Sequence, residues 1–247
     1  MNKSKIKLTA FILLVLFSNT VLAEAYFDIS ENNIKIETNF IGKEVIIFGI
    51  LNNDQETILT IKGPEKNAVI QKKERILGFW FNTKKIIYNQ IPSIFFIAAS
   101  ANIKNILPAS TIIKEELSFD YLLENKLSQR NFISDETLDS WKSNFVRIKK
   151  NKNLFKKYNI DKIEDKLFQT KIFFPAKSIP GEYKVKVYQI KNKIILNSKE
   201  KIISLKKSGL GSQIYNFAHN NSAAYGLFAI IFAILSGFFA ATLFRRY

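Results

Sequence analysis

The sequence predicts a mainly β protein: an immunoglobulin-like β-sandwich with an α-helical insertion, followed by a single C-terminal transmembrane helix. Short β-branched runs about ten residues apart, separated by Gly, Pro and Asn, favour a sandwich. Helical periodicity interrupts these runs between about residues 102 and 166. The stretch Ser222–Phe244 has no ionisable side chain except Tyr225. A membrane-spanning helix needs about 20 apolar residues, so this stretch is long enough to cross a bilayer.

The amino terminus has the three parts of a secretory signal peptide. Three lysines precede an apolar run, Leu8–Phe17, and small side chains follow it. We expect residues 1–23 to be a signal peptide that is cleaved after Ala23, with Ala25 as the alternative. If the segment stayed uncut, its lysines would hold it inside the cell, so residues 24–222 would lie outside the cytosol in either case.

Residues 26–100 are predicted to form a series of short strands. Their β-branched or alternating runs are bounded by turn formers such as Gly42, Asn53 and Gly63. The expected strands are Asn33–Glu37, Glu44–Gly49, Thr57–Lys62, Ala68–Ile70, Arg75–Asn82, Lys85–Tyr88 and Ser93–Ser100.

The insertion is expected to contain two helices, Pro108–Gln129 and Ser134–Lys157. Ser134 is a favourable N-cap, and two acids follow it in the first turn. One apolar stripe at 3-4-3 spacing consists of Leu138, Trp141, Phe145 and Ile148. Around it lie Lys142, Arg147, Lys149, Lys150 and Lys152. This basic face is expected either to be solvated or to rest on a membrane surface.

Strands return at Leu167 and complete one sandwich. A Pro-Gly-x-Tyr sequence that ends at Tyr183 leads into a strand of period two, which is common in immunoglobulin-like sandwiches. The strand-forming residues on both sides of the insertion total about 116, close to one immunoglobulin-type domain. The expected runs are Lys171–Pro175, Tyr183–Tyr188, Ile194–Leu196 and Lys201–Leu205.

Residues 208–221 are expected to be a juxtamembrane linker, 222–244 the transmembrane helix and 245–247 a cytoplasmic tail. The two tail arginines and the positive-inside bias place the folded part, residues 24–207, in the periplasm of a bacterium with a single pass through the inner membrane. Small side chains recur every fourth residue of the helix, at Ala229, Ala233, Gly237 and Ala241. Such a line lets a partner helix approach closely, or it reflects the abundance of small residues in membrane helices.

The composition restricts the chemistry that is open to the chain. The formal net charge is +16; without the three signal-peptide lysines and the two tail arginines, 32 basic and 21 acidic residues remain, a charge of +11. In an exported protein this charge indicates binding to inner-membrane lipid head groups or to an acidic partner, and not to nucleic acid. The alternative is that the excess of lysine reflects AT-rich coding. The chain has no cysteine and one histidine, so we expect no metal and no other cofactor.

Catalytic motifs are absent from the sequence, which lacks Gly-x-Ser-x-Gly, His-Glu-x-x-His and phosphate-loop patterns. We therefore expect a protein that is not an enzyme. His219 is expected to hydrogen-bond at the lipid interface, with a general-base role as the alternative. The acid pair Glu115 and Glu116 is expected to form solvated ion pairs, with a hydrolytic or metal site as the alternative.

The best candidate for a contact surface is the charged run before Gly78. Lys73, Glu74 and Arg75 lead directly into an aromatic run that contains Trp80. Trp and Arg anchor interfaces more often than other residues do, which favours a binding edge here. The alternative is an ordinary sandwich strand whose Trp80 belongs to the core.

Several stretches together resemble one known family. They are Gly42–Gly49, Ile61–Pro64, Lys72–Asn82, Ile91–Ser93, Ala98–Ser100, Leu167–Ala176, Pro180–Tyr183, Phe217–His219, Tyr225–Leu227 and Leu243–Arg246. In this order the chain resembles the alphaproteobacterial family of putative transmembrane proteins over essentially the whole mature chain. The resemblance implies a signal peptide and one C-terminal span, and it assigns no catalytic residue. It suggests a permease of the sulfite-exporter type as a partner.

Two functions are compatible with these features, and neither includes a small-molecule substrate. The first is a membrane-anchored periplasmic accessory module, without enzymatic activity, for an inner-membrane partner such as a transporter. The second is a sensing or binding subunit that takes an anionic ligand or a lipid surface. Salt-sensitive vesicle binding would favour the second function, whereas salt-independent co-purification with a permease would favour the first.

Overall fold

Strands make up most of the regular structure in the computed structural model of the chain. It describes residues 27–51, 54–124, 126–131, 138–164 and 166–245, except for the side chains of Leu210 and Ser212. The strands are β1 (Phe27–Ile29), β2 (Asn33–Ile36), β3 (Gly42–Ile50), β4 (Glu56–Lys62), β5 (Glu65–Ile76), β6 (Phe79–Pro92), β7 (Phe95–Ala99), β8 (Leu127–Arg130), β9 (Phe155–Asn159), β10 (Asp161–Ile163), β11 (Leu167–Pro175), β12 (Gly181–Lys191) and β13 (Ile194–Lys207). The helices are α1 (Ile103–Ile106), α2 (Ala109–Lys114), a 3₁₀ helix (Tyr121–Leu123), α3 (Leu138–Asn151), α4 (Leu210–Asn220) and α5 (Ser222–Phe244). The prediction of a mainly β chain with a C-terminal apolar helix is confirmed.

Three sequence-based predictions lie outside the described residues. They concern the signal peptide of residues 1–23, the N-cap at Ser134, and the last two residues of the tail after Arg245.

The first core lies between a four-stranded and a six-stranded sheet. The strand orders are β1-β3-β11-β10 and β2-β13-β12-β4-β7-β9, and the pairs β2–β13 and β7–β9 are parallel. In β12, Tyr183, Val185 and Val187 are fully buried while Lys184 is exposed, as the predicted period of two requires. Side chains such as Phe174 meet them from the four-stranded sheet, where its ring centroid is 5.5 Å from that of Tyr183. The two-sheet packing agrees with a sandwich, and its immunoglobulin-like type stays a prediction.

The centre of the six-stranded sheet, at β4 and β7, is buried on both faces. Every residue of β4 from Thr57 to Ile61 is buried, so both faces of this strand lie in a core. On the face away from the sandwich, Phe95 lies edge-on to Phe119 and Phe155, with ring centroids 5.5 Å and 5.9 Å apart. Helix α3, the shorter helices and the base of β6 cover this second core. The insertion therefore forms a third layer on the sandwich.

Helix α3 packs on the second core through a stripe that differs from the predicted one. Trp141 and Phe145 are buried as expected, but Val146 is buried with them and Ile148 is 41% exposed. Lys149, expected on a surrounding basic face, instead places its Nζ atom 5.5 Å from the ring centroid of Phe145. The predicted stripe is thus wrong at its C-terminal end.

The predicted helix Pro108–Gln129 is wrong over most of its length. Helix α2 ends at Lys114, because Glu116 adopts a φ of 51° and the amide of Leu117 donates to the carbonyl oxygen of Ile112. This is the Schellman arrangement that terminates many helices. The following residues form a 3₁₀ helix and then strand β8.

The predicted helix Ser134–Lys157 is wrong at its C-terminal end for the same reason. Asn153 adopts a φ of 56°, and the amide of Leu154 donates to the carbonyl oxygen of Lys149. The chain then forms β9. Because β8, β9 and β10 all lie in the segment 102–166, the insertion is not wholly helical.

The predicted strand Arg75–Asn82 is wrong, because it contains a turn. Strands β5 and β6 form one long antiparallel hairpin, and their two-residue turn is Leu77–Gly78 with φ values of 50° and 89°. Positive φ at both central residues is typical of a type I′ turn, and glycine adopts it without steric cost. Strand β8 joins the hairpin near its base, opposite β6 at Ile86–Tyr88.

In the C-terminal part of the chain, the apolar helix agrees with the prediction and the elements before it differ. The two expected strands Ile194–Leu196 and Lys201–Leu205 are one strand, β13, which leaves β12 through a turn with positive φ at Asn192 and Lys193. Helix α4 occupies the expected linker, and α5 has the expected bounds, Ser222–Phe244.

Candidate functional site

The far end of the β5–β6 hairpin brings the predicted contact residues together. Arg75 lies opposite Trp80, and Glu74 lies opposite Phe81 in the cross-strand register. Lys73 lies opposite Asn82, one pair further from the turn. The hairpin thus places the cations and the aromatic residues on neighbouring strands. Their role in an interaction stays a prediction.

The turn end of this hairpin exposes large apolar side chains. We define the hairpin tip as Ile76, Leu77, Phe79, Trp80 and Phe81, whose exposed fractions are 47%, 94%, 71%, 68% and 50%. The interpretation of Trp80 as a core residue is therefore wrong. The buried tryptophan is Trp141, in α3.

Both faces of the ribbon are apolar at the tip. Because side chains alternate along a strand and opposite residues share a face, Phe79 and Phe81 project from the same face as Ile76. Trp80 and Arg75 project from the other face. Neither face of the tip therefore resembles the solvated side of an ordinary hairpin.

The ribbon behind the tip has little support from the rest of the fold. In the part of the chain that the structure describes, β8 pairs with β6 only at Ile86–Tyr88 and Asn131 bonds to Thr83 and Lys85, so Phe79–Asn82 is opposite β5 alone. The side chain of Asn131 accepts a hydrogen bond from the amide of Lys85 at 2.6 Å and donates to the carbonyl oxygen of Thr83. Further along, Ile86, Tyr88 and Ile91 are buried in the second core. The hairpin is thus fixed at its base and projects at its tip.

Cations surround the ribbon directly behind the tip. We define the basic collar as Lys72, Lys73, Arg75, Lys84 and Lys85. The Nε atom of Arg75 donates to the carbonyl oxygen of Gly78 at 3.2 Å, which holds this side chain along the turn.

One carboxylate lies within the collar. Between Gln71 and Lys85 the sequence has a single acid, Glu74. The Nζ atom of Lys72 lies 2.7 Å from its Oε1 atom. The hydrogen bond from Lys72, assisted by that from Thr83, lowers the pKa of Glu74 below its ordinary value. The remaining cations of the collar leave a net positive charge behind the tip.

The predicted line of small residues lies on α5. At Gly237 an added Cβ atom would meet no other atom within 4 Å, and the side chains of α5 are exposed along its length. Ala229, Ala233 and Ala241 share this helix, so the line is accessible to another helix. Its use for packing stays a prediction.

The one histidine contacts its own helix. Its Nδ1 atom lies 3.0 Å from the carbonyl oxygen of Tyr215, and its ring stacks on that of Tyr215 at 3.9 Å between centroids. His219 and Tyr215 are both in α4, directly before the apolar helix.

The acid pair at the end of α2 is held by lysines. Oε2 of Glu115 accepts hydrogen bonds from Lys186 at 3.2 Å and from the hydroxyl of Tyr188 at 3.1 Å. Burial opposes the ionisation of Glu115, but these hydrogen bonds and the lysine charge lower its pKa below the ordinary value. Glu116 pairs with Lys62 at 2.6 Å. These contacts agree with the ion-pair interpretation.

The described part of the chain contains no cluster of potential metal ligands. There, no group of three or more His, Asp or Glu side chains is arranged to hold an ion.

Of the five residues of the hairpin tip, the sequence predicted Trp80 alone. It selected Lys73, Glu74, Arg75 and Trp80, and it did not select the neighbouring apolar side chains. The signal was Gly78 between two strand-like runs, because glycine readily adopts the positive φ that a type I′ turn requires.

Comparison with known proteins agrees with a membrane location. No curated protein matches the chain. Residues 24–246 match the family described as putative transmembrane protein. Of the helices in the described part of the chain, α5 is the one that is long and apolar enough to cross a bilayer. Because the match covers most of the sequence, this protein, whose described part has one candidate membrane span, belongs to the putative transmembrane protein family.

Proposed function

We propose that the protein is a membrane-anchored accessory module that acts by contact and not by catalysis, and that its hairpin tip contacts a component of the inner membrane. The observation that carries this proposal is the projecting ribbon with five large exposed apolar side chains. Large apolar patches on a protein surface usually mark interaction sites. Fully burying one side chain of this size is worth about 1.5–3 kcal/mol, so covering the tip would stabilise a complex appreciably.

The geometry of the ribbon supports a role for the tip outside the fold. Two-stranded ribbons are only marginally stable in water without a packed face. Here the strands continue beyond the last buried side chains, Ile86 and Tyr88, although the tip adds nothing to either core. A contact made by the tip explains why the strands extend so far.

The proposed topology places the folded part in the periplasm. Residues 1–23 would direct export, and Arg245 and Arg246 would stay in the cytoplasm by the positive-inside bias. The tip and the basic collar would then lie on the periplasmic side of the inner membrane, on a chain held to it by α5.

The proposed protein partner is an integral membrane protein, and a permease of the sulfite-exporter type is the candidate that the family resemblance suggests. Helix α5 offers it the line Ala229, Ala233, Gly237 and Ala241 within the bilayer. The ion-paired state of Glu115 and Glu116 supports a structural rather than a hydrolytic role for these acids.

In-cell photocrosslinking from the tip tests the proposal. The full chain would carry p-benzoylphenylalanine in place of Trp80 and, as a matched control, in place of Ile194. Ile194 is 64% exposed beside the turn of the β12–β13 hairpin, away from the β5–β6 turn in sequence. We expect position 80 to crosslink to a membrane component, either protein or lipid, and position 194 to give no crosslink. Equal patterns from the two positions would overturn the proposal.

Charge reversal gives a second test on the protein partner. If the collar contacts that protein, Lys73→Glu with Arg75→Glu will abolish co-purification of the membrane protein with the full chain. The matched control reverses two exposed lysines outside the ribbon, Lys171 and Lys177, and should leave co-purification intact. Normal co-purification by the collar variant would remove the collar from the proposed interface.

A further inference from the structure

We infer that the hairpin tip enters the head-group region of an anionic bilayer surface and gives the folded part a second attachment to the membrane. This inference rests on the proposed function, because it requires the tip to act at the inner membrane. It names lipid as the component that the tip contacts.

The two-faced character of the tip favours lipid over a protein groove. Phe79 and Phe81 project from one face of the ribbon and Trp80 from the other. A groove on a folded partner usually covers one face of a strand pair, which would leave the opposite ring in water. A bilayer surrounds an inserted element on all sides, so it covers both faces at once.

The dimensions of the tip suit the interfacial region of a bilayer. From the pair Glu74–Phe81 to the turn the ribbon rises by three residues, or about 10 Å. Elements that lie in the interface bury their apolar side chains about 5–10 Å below the head groups. The segment from this pair to the turn therefore has the depth of the region that it would enter, with Glu74 and Arg75 on its head-group side.

The residue types match this environment. Tryptophan is enriched where acyl chains meet head groups, because its ring is apolar and its N–H group is polar. The run Ile76–Phe81 has no charged residue. Arg75 and Glu74 lie opposite Trp80 and Phe81, so the turn and the pair Ile76–Phe79 are the part that inserts without bringing a charged residue to the same depth.

The basic collar indicates that the lipid is anionic. Its cations begin with Arg75, directly behind the apolar run, where the phosphates of an inserted hairpin would lie. Arg75 and the lysines can extend their apolar stems along the ribbon while their charged groups stay among the phosphates. Each cation near an anionic membrane surface strengthens binding about fivefold at moderate salt. The collar therefore favours anionic over neutral lipid.

Quenching of tryptophan fluorescence by brominated lipid tests the inference on the full chain. The chain has two tryptophans, so Trp141→Phe reports on Trp80 alone, and Trp80→Phe reports on the buried Trp141. Each variant would be placed in nanodiscs of phosphatidylglycerol and phosphatidylethanolamine, with or without bromine on the acyl chains. If Trp141→Phe does not fold, the difference between the wild-type and Trp80→Phe signals gives the same information.

We expect brominated lipid to reduce the emission of Trp80 and to leave that of Trp141 unchanged. The loss should disappear in phosphatidylcholine nanodiscs and in 1 M salt, where the Debye length falls to about 3 Å. It should also disappear when Lys73→Glu and Arg75→Glu are added. Equal emission of Trp80 in brominated and ordinary anionic lipid would overturn the inference.

The crosslinking experiment separates the failure of this inference from the failure of the proposed function. If Trp80 is not quenched but position 80 crosslinks to another protein in native membranes, the lipid inference falls and the proposed function stands. If position 80 crosslinks to a second copy of the chain, the tip is a self-association surface and the lipid inference also falls. If neither quenching nor crosslinking occurs, both proposals are wrong.

Discussion

Replacing Lys149 with methionine should stabilise the protein at neutral pH, and the gain should shrink as the pH rises. Burial in the second core, followed by the charge of Lys152, lowers the pKa of Lys149 from 10.5 to about 8. Its Nζ atom donates to the carbonyl oxygen of Ser93 at 3.3 Å and lies over the rings of Phe145 and Phe155. These contacts do not offset the loss of water around the ammonium group.

The expected gain in the free energy of unfolding follows from the difference between the two pKa values of Lys149. A pKa shift from 10.5 to about 8 means that the fold disfavours the charged amine by about 3 kcal/mol. This is an upper value because Lys149 keeps some contact with water. Below pH 8 the folded protein must hold the charged amine and bears the whole cost. Between pH 8 and 10.5 the unfolded chain binds more protons than the folded chain, so the stability of the wild type rises with pH.

Urea unfolding of the full chain in detergent, followed by circular dichroism between pH 7 and pH 10, measures this effect. The free energy of unfolding of Lys149→Met should exceed that of the wild type by about 1–3 kcal/mol at pH 7, and most of the difference should be lost by pH 10. As a control, Lys142→Met on the same helix removes a partly exposed ion pair with Asp139 and should change stability at pH 7 by less than about 1 kcal/mol. A difference for Lys149→Met that stays constant from pH 7 to pH 10 would refute the reasoning.

Substitutions at three further positions test local features of the fold, each by the free energy of unfolding of the full chain. Tyr183→Phe removes the hydrogen bond that the buried hydroxyl donates to the carbonyl oxygen of Ile179 at 2.7 Å, and should cost about 1–2 kcal/mol; no loss would exclude this bond as a stabilising contact. Asn153→Gly should stabilise by up to about 1 kcal/mol because glycine adopts the φ of 56° more easily, whereas Asn153→Val should destabilise; the reverse order would contradict the Schellman end of α3. Gly78→Val should destabilise by more than about 1 kcal/mol, because valine at a φ of 89° is strained in the type I′ turn; an unchanged stability would argue against that turn.

Strands with a regular alternation were predictable from the sequence. In β12 the buried Tyr183 and Val185 alternate with lysines, so both the strand and its inward face follow from the period of two. β4 was also predictable as a strand, but its burial on both faces was not, because a continuous apolar run does not say what lies on its second face. That information comes from the insertion, whose helices pack there.

Local backbone conformation explains most of the errors. Glu116 and Asn153 end helices by adopting positive φ, and helical periodicity continues past both residues in the sequence. Leu77 and Gly78 form a turn inside a run of large apolar residues that has the composition of a buried strand. In each case one or two backbone angles override the pattern of the side chains.

The candidate site was predictable in its chemistry and not in its shape. The charged run and Trp80 stand out in the sequence by residue type alone. Their exposure depends on the absence of a third strand beside Phe79–Asn82 within the described residues, which is a property of the tertiary structure. The sequence therefore indicated a contact surface but not a projecting apolar tip.

Cysteine labelling in native membranes tests the central claim, that the hairpin tip is covered by a membrane component on the periplasmic side. The chain has no cysteine, so Leu77→Cys and the control Ile194→Cys each introduce one thiol, at positions that are 94% and 64% exposed. In spheroplasts, a membrane-impermeant maleimide should label Ile194→Cys rapidly and Leu77→Cys slowly, and both should react rapidly in detergent. Rapid labelling of Leu77→Cys in spheroplasts, or no labelling of Ile194→Cys there, would contradict the claim.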